Sequence, residues 1–110
     1  MISWEDFEKV DICTGTIVEV NGFPKARKPS WQIKIDFGPV LGIKNSSAQI
    51  THHYSKQDLV GRQILAVVNL PPKQIANFFS ECLVLGVADE SGEIVLLSTD
   101  QRVDNGESVK

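Results

Sequence analysis

Few residues of this 110-residue chain have types and spacings that could perform chemistry. His52 and His53 are its only histidines, and because adjacent side chains diverge on strands and helices alike, the pair would chelate one metal ion poorly. Ser46 and Ser47 lie nearby, but a nucleophilic serine also needs a placed acid and an oxyanion hole, and no motif supplies them. We therefore expect no metal site and no enzymatic activity.

No phosphate-binding loop, dinucleotide fingerprint or nucleophile elbow occurs in the sequence, so we expect no cofactor. Cys13 and Cys82 have neither metal-binding nor redox spacing, and we interpret them as reduced thiols that pack as small apolar residues. No apolar run is long enough to cross a membrane, and the acidic start does not resemble a secretory signal. These features predict a cytoplasmic protein without membrane insertion.

Charge falls into three blocks along the chain. Residues 1–19 carry a net charge of −4, residues 20–80 carry +6 and residues 81–110 carry −5, which gives the formal total of −3. A basic middle between acidic ends favours a surface for an anionic partner. The alternative is that folding mixes the blocks and leaves no patch.

Two segments suggest binding surfaces. In the loop 23–31, Lys25, Arg27 and Lys28 stand between two aromatic residues, an arrangement that suits phosphates and stacked bases. The alternative is that Trp31 is core and the basic side chains merely solvate the loop.

The second segment contains Ile75, Phe78 and Phe79, which follow the i, i+3, i+4 spacing of a helix face. If this turn covers the end of the fold, all three are core. If it lies at the rim, they form an exposed apolar patch of a kind that monomers seldom leave uncovered.

The remaining pattern predicts short strands with few helices. Ser3 can cap a short helix whose Trp4, Phe7 and Val10 share a face. Ser55 and Gly61 bound one further helical turn. Alternating or apolar runs predict strands at 11–20, 31–37, 40–44, 63–70, 82–88 and 94–97.

Details of these strands are also predictable. Gly15 predicts a bulge or a sharp bend in the first strand. Residues 89–92 predict a hairpin turn, and Gly38-Pro39 predicts a turn before the third strand. Because closing a sheet removes its edges, we predict an all-β single domain over residues 1–110, a five-stranded Greek-key barrel of the OB type. An open sandwich is the alternative.

Several stretches together resemble one family closely. They are DICTGTIVEV at 11–20, WQIKIDFG at 31–38, GIKNSSAQIT at 42–51, GRQILAVVNLPPKQIANFFSECLVLG at 61–86 and IVLLSTDQ at 94–101. They resemble the CsaA family, whose members are OB-fold relatives of the tRNA-binding module appended to some aminoacyl-tRNA synthetases. The resemblance implies a dimeric, export-related chaperone that binds unfolded preproteins and assists their delivery to the translocation machinery.

Residue roles follow as expectations from that resemblance and the patterns above. For peptide binding we expect apolar contacts from three residues and polar contacts from four basic ones: Ile75, Phe78, Phe79, Arg27, Lys28, Lys34 and Lys73. For a homodimer joined by its terminal segments we expect Trp4, Phe7, Val10 and Val109. The alternative for these last four is a plug over the barrel end.

The second hypothesis is recognition of tRNA shape and phosphates. It would use Arg27, Lys28, Lys44, Lys73, Ser80 and Glu81. The wider tRNA-binding family often has arginine where this chain has Cys13, and its basic stretch reads here as PPKQ at 71–74, which retains Lys73 but has a proline in place of a lysine. Its Ser-Glu-Gly-Met motif reads Ser-Glu-Cys-Leu at 80–83. These differences lower the positive charge around the motif, but residues 20–80 still carry a net charge of +6.

Overall fold

The computed structural model describes all 110 residues, as nine strands and three short helices. The helices are α1 (Trp4–Glu8), α2 (Gly38–Leu41) and α3 (Lys56–Leu59). The strands are β1 (Ile12–Gly22), β2 (Trp31–Asp36), β3 (Ile43–Ala48), β4 (Gln63–Val67), β5 (Lys73–Ile75), β6 (Phe78–Ser80), β7 (Leu83–Val84), β8 (Gly86–Ala88) and β9 (Ile94–Leu96).

Five strands form the main sheet in the order β3-β2-β1-β4-β7, and every neighbouring pair is antiparallel. The sheet curls into a nearly closed barrel, which confirms the predicted OB-type fold. Two hairpins, β5–β6 and β8–β9, pair only within themselves and flank the short strand β7 along the chain.

The core lies inside this barrel. On β2 the predicted alternation is confirmed, because Ile33, Ile35 and the following Phe37 are buried. Ile17 of β1, which pairs with β2, and Ile64 of β4, which pairs with β1, belong to the same core. Burial of side chains of this size stabilises the fold by about 1.5–3 kcal/mol each.

The irregularity predicted in β1 exists, but at a different residue. The register with β2 shifts between Ile17 and Glu19, so Val18 is the extra, exposed residue of a bulge. An inserted residue reverses the side-chain parity, which explains why Ile17 and Val20 are both buried although they are three positions apart. The alternation predicted for residues 11–20 therefore fails after Ile17.

Gly15 has another role, which is close packing. A Cβ at this position would lie 2.6 Å from Cγ2 of Ile35 and 2.7 Å from Cε1 of Phe37. Both neighbours are fully buried, so neither can move aside cheaply. Because residue 15 has no side chain, β1 can pack closely against the buried side chains of Ile35 and Phe37.

Several strand boundaries differ from prediction, and the strand predicted at 63–70 ends at Val67. Residues 38–41 form α2, with Pro39 in its first turn, and the third strand therefore begins at Ile43 rather than at residue 40. The strand predicted at 82–88 is interrupted at Leu85, whose N–H donates to Leu65 O and whose carbonyl accepts from Leu97 N. The chain thus leaves the main sheet at this residue and enters the β8–β9 hairpin.

The helical face predicted for Ile75, Phe78 and Phe79 is wrong. These residues form the β5–β6 hairpin, in which Ile75 pairs with Phe78 and Gln74 pairs with Phe79. The reversal occurs at Ala76, which has a left-handed φ of 54°. A tight hairpin turn separates two strand residues by the same three positions as a helical turn does, so spacing alone cannot distinguish them.

Both predicted helix caps are confirmed as capping boxes. The Ser3 and Ser55 hydroxyls accept from the N–H groups of Asp6 and Asp58, whose carboxylates accept in return from the serine N–H groups. These hydrogen bonds hold the pKa of each aspartate below its ordinary value. The longest helix, α1, has five residues, so no helix could span a membrane.

The C-terminal segment 103–109 lies along the part of β1 that β2 leaves unpaired. Thr14 N–H donates to Glu107 O at 3.0 Å, and Val109 N–H donates to Ile12 O at 2.8 Å. The buried Gln63 amide anchors the start of this segment, donating to Val103 O and accepting from Val103 N–H. The segment thereby covers a strand edge and brings Val109 beside the N-terminal helix.

Substitution of Gly15 tests the close-packing role. We expect Gly15→Ala to lower the free energy of unfolding by about 1–3 kcal/mol, because the new methyl group overpacks a rigid core. Gly22→Ala, in the same strand, is the matched control, since its Cβ would meet nothing within 4 Å. Urea denaturation would measure both; equal stability of the two variants would contradict this role.

Candidate functional site

The barrel closes through the segment between β6 and β7. Glu81 N–H donates to Asn45 O, and Asn45 N–H donates to the Glu81 side-chain Oε1, both at 2.8 Å. The carboxylate thus takes the place that a backbone carbonyl would have in a regular ladder. These two bonds join β3, one edge of the sheet, to the residues that lead into β7, the other edge.

Serine hydroxyls extend this closure. Buried Ser46 donates from Oγ to Cys82 O at 3.0 Å, and Ser80 Oγ accepts from Ser47 N–H at 3.3 Å. Ser46 is therefore occupied structurally and is not poised as a nucleophile. Burial raises the pKa of the Cys82 thiol to about 11, so that this group is protonated at neutral pH.

An apolar groove of about 480 Å³ opens beside the closure. We call it the apolar groove; its apolar lining includes Ile50, Ile75, Leu83, Leu85, Ile94 and Leu96. Both hairpins contribute walls, and Leu83 of β7 is 51% exposed within it. A groove with this lining can take apolar side chains from a ligand.

A second groove of about 590 Å³ adjoins it. This basic groove is lined by Lys25, Arg27 and Lys28 from the loop after β1 and by Lys73 from β5. Lys73 and Ile75 line both grooves, so the two form one continuous surface. Part of the basic block predicted from the sequence therefore does survive folding as a local patch.

The hairpin separates the two phenylalanines. Phe78 is half-buried and packs edge-to-face on the buried Phe23, with ring centroids 5.4 Å apart. Phe79, its neighbour in β6, lies on the opposite face of the hairpin and is 55% exposed. Phe78 thus supports the hairpin, whereas Phe79 is available on the outer surface, away from the apolar groove.

Lys34 and Lys44 lie outside both grooves. The Lys34 ammonium is 3.9 Å from a Glu19 carboxylate oxygen, and Lys44 pairs with Ile35 at the start of β3. Trp31 is half-buried, with its indole N–H donating to Tyr54 O at 2.9 Å. The core alternative for Trp31 is therefore the better description, and the loop offers no exposed aromatic face for stacking.

The four residues expected at a dimer contact lie together. Trp4, Phe7, Val10 and Val109 all line a terminal groove of about 330 Å³ between α1 and the C-terminal segment. Asn69 holds α1 in place, because its side chain donates to Lys9 O and accepts from Asp11 N–H. Trp4 is 84% exposed, so the groove is not a closed plug.

A polar groove of about 730 Å³ lies on the other side of the basic loop, lined by Lys28, Gln49, His52 and Glu93 among others. Beside it, His53 Nε2 lies 2.7 Å from Asp89 Oδ2, and this hydrogen bond holds the pKa of Asp89 below its ordinary value. The described chain contains no group of three or more His, Cys, Asp and Glu side chains that could hold a metal ion.

Some groove residues escape prediction from the sequence. Leu83 and Ile94 lie in short apolar stretches that are typical of core strands, and nothing in their spacing indicates an open groove. Gln49 is a lone polar residue after β3. Only the position of the two hairpins shows that these residues face a common surface.

Comparison with known proteins identifies the family. The model of the family described as "Putative tRNA binding domain" matches residues 12–108. The CsaA chaperone protein of Picrophilus torridus is 50% identical, with a TM-score of 0.94 and 100% coverage of both chains. Chaperone CsaA of Bacillus anthracis is 47% identical, with a TM-score of 0.94, covering 100% of this chain and 99% of that one. The chain belongs to the CsaA family.

More distant relatives of this CsaA-family chain include a much longer protein and a chain of similar length. A methionine–tRNA ligase of Porphyromonas gingivalis is 36% identical over 109 residues, which are 99% of this chain but 16% of the ligase. A MetRS-related protein of Pyrococcus horikoshii, 21% identical with a TM-score of 0.87, shares the fold. The tRNA-binding family model and the CsaA chaperone structures point to a non-catalytic module.

Removal of the Glu81 carboxylate tests whether this side chain stabilises the closure of the CsaA-family barrel. We expect Glu81→Ala to lower the free energy of unfolding by about 1–3 kcal/mol, because Asn45 N–H loses its charged acceptor. Glu90→Ala removes the same charge from an exposed position and should change stability little. Thermal and urea unfolding would measure both; if Glu81→Ala were as stable as Glu90→Ala, the closure would not depend on the side chain.

Proposed function

We propose that this CsaA-family protein is a cytoplasmic chaperone that binds unfolded polypeptides. The observation that carries the proposal is the continuity of the apolar groove with the basic groove through Lys73 and Ile75. Unfolded segments expose apolar side chains together with unpaired backbone carbonyls, and this surface offers partners for both. The two similar structures are CsaA chaperones, which supports the same function.

Each part of the surface has a chemical role in the proposal. Ile75 and Leu83 contact apolar side chains, while Arg27, Lys28 and Lys73 donate to backbone carbonyls or acidic side chains. Phe79 adds a contact for segments that continue over the outer face of the hairpin. Lys34 would contribute only if the ligand extended across β2, and Phe78 acts by supporting β6.

The cargo that we propose is preproteins awaiting delivery to the translocation machinery. This scheme includes no nucleotide, because the sequence has no phosphate-binding loop. If two copies associate, their two grooves could hold one polypeptide together. This would raise the overall affinity, since the effective concentration at the second groove can reach about the millimolar range.

Binding of tRNA is the competing function. It is favoured by the family description and by the four cationic side chains of the basic groove. Phosphates would occupy the same Lys73 region that polypeptide uses, so the two ligands would compete. Ionic strength distinguishes them, because phosphate contacts weaken steeply with salt whereas apolar contacts do not.

Shortening the groove side chain tests the chaperone proposal. We expect Leu83→Ser to weaken binding of an unfolded apolar polypeptide about tenfold, because it removes apolar contact area from the groove. Val60→Ser is the control, since Val60 is 52% exposed, close to the 51% of Leu83, and lies outside the grooves. Fluorescence anisotropy at low and high salt would give both affinities.

The same titration with bulk tRNA decides between the functions. Polypeptide binding that persists at high salt and falls in Leu83→Ser supports the chaperone. Strongly salt-dependent tRNA binding, abolished in the triple variant Arg27→Ala, Lys28→Ala, Lys73→Ala, with no polypeptide binding by the wild-type protein, would overturn the chaperone proposal.

We propose further that two copies associate through the terminal groove. Trp4, Phe7, Val10 and Val109 place an apolar surface on segments from both ends of the chain. A second copy would cover the exposed indole of Trp4, and aromatic side chains of this type often dominate the energy of an interface.

Truncation of that indole tests the dimer. We expect Trp4→Ser to raise the dimer dissociation constant more than about thirtyfold, which corresponds to a loss of about 2 kcal/mol at an interface. Val87→Ser, 55% exposed on β8, is the control. Sedimentation equilibrium would measure the mass; a wild-type monomer, or a Trp4→Ser dimer of undiminished affinity, would exclude this interface.

A further inference from the structure

Three grooves of the structure meet at one side chain. Gln49 lines the apolar groove, the basic groove and the polar groove, and it is common to all three. No other residue has this position. A ligand that occupies all three grooves therefore meets Gln49 at their junction.

The backbone directs Gln49 outward and leaves its amide free. The β2–β3 ladder ends where Trp31 pairs with Ala48, and Gln49 is the first residue beyond it. Ile50, the next residue, is buried, whereas Gln49 is exposed. The amides of Gln63 and Gln74 bond to Val103 O and Ala76 O, but the Gln49 amide has no partner within the protein.

A polypeptide in the apolar groove needs such a partner. Its backbone N–H and C=O groups lose water as the chain enters, and each unpaired group costs free energy. The nearby hydroxyl of Ser80 already bonds to Ser47 N–H and Cys82 O. The Gln49 side chain offers one acceptor oxygen and two N–H donors, which match the donor and acceptor of a peptide unit.

We propose that Gln49 is a recognition residue that hydrogen-bonds the main chain of a bound, extended polypeptide at the groove junction. The inference rests on the proposed chaperone function and adds to it that the protein recognises backbone as well as side chains. Main-chain recognition is independent of sequence, which suits a protein that binds many unfolded segments.

A double-mutant cycle tests the contact. The probe is a short labelled apolar peptide together with analogues that are N-methylated at one backbone position each, and the variant is Gln49→Leu. We expect N-methylation at one or two positions to weaken binding to the wild-type protein about fivefold, the effect of one neutral hydrogen bond, and to have no effect on the variant. Leucine adds apolar surface and can change the affinity by itself. The measured quantity is therefore the loss of affinity on N-methylation, compared between the wild-type protein and the variant.

The control variant is Gln57→Leu, which changes another exposed glutamine, in α3, that lines none of the three grooves. It should keep the full cost of N-methylation. If Gln49→Leu keeps that cost at every position, the inference is overturned while the chaperone proposal stands. If the wild-type protein binds none of the peptides, the chaperone proposal itself fails, and this inference fails with it.

Discussion

The fold depends on closing a sheet whose edge strands come from distant parts of the chain. β3 and the segment that leads into β7 are joined by two hydrogen bonds of 2.8 Å between Glu81 and Asn45, one of them through a carboxylate, together with the bonds of Ser46 and Ser80. An ionised acceptor makes a stronger bond than a neutral carbonyl, which suits a junction with few regular ladder bonds. Without it, both edges would expose unpaired backbone groups.

The same junction shapes the proposed binding surface. The chain enters it from the β5–β6 hairpin and leaves it, after Leu85, into the β8–β9 hairpin, so both walls of the apolar groove are tied to one short segment. Because β7 pairs with β4 through only two residues, the hydrogen bonds of Glu81 and Ser46 supply much of the anchoring. Groove shape and barrel stability are therefore coupled, and a stabilising change here would also alter the site.

Local signals predicted the parts of this structure that local physics determines. The two Ser–Asp capping boxes and the alternation around Ile33 and Ile35 depend only on neighbours in sequence or on one buried face. The sequence predicts the irregularity of β1 at Gly15, whereas the bulge lies at Val18. The glycine is needed for close packing, which only the tertiary structure reveals. The helical prediction for residues 75–79 is wrong for a similar reason. The chain reverses there at Ala76, and alanine, unlike glycine or proline, does not indicate a turn.

The Ser80–Glu81 pair shows why a motif can carry the fold without identifying the ligand. Its hydroxyl and carboxylate are turned toward β3, where they bond to the N–H groups of Ser47 and Asn45. Any barrel closed in this way needs such acceptors, whether its surface binds polypeptide or RNA. Closure alone is a sufficient reason for a Ser-Glu pair at these positions, so the likeness of the pair to the tRNA-binding family does not identify the ligand. We propose that ligand choice comes from side chains that closure leaves free, the groove residues around Lys73 and Gln49.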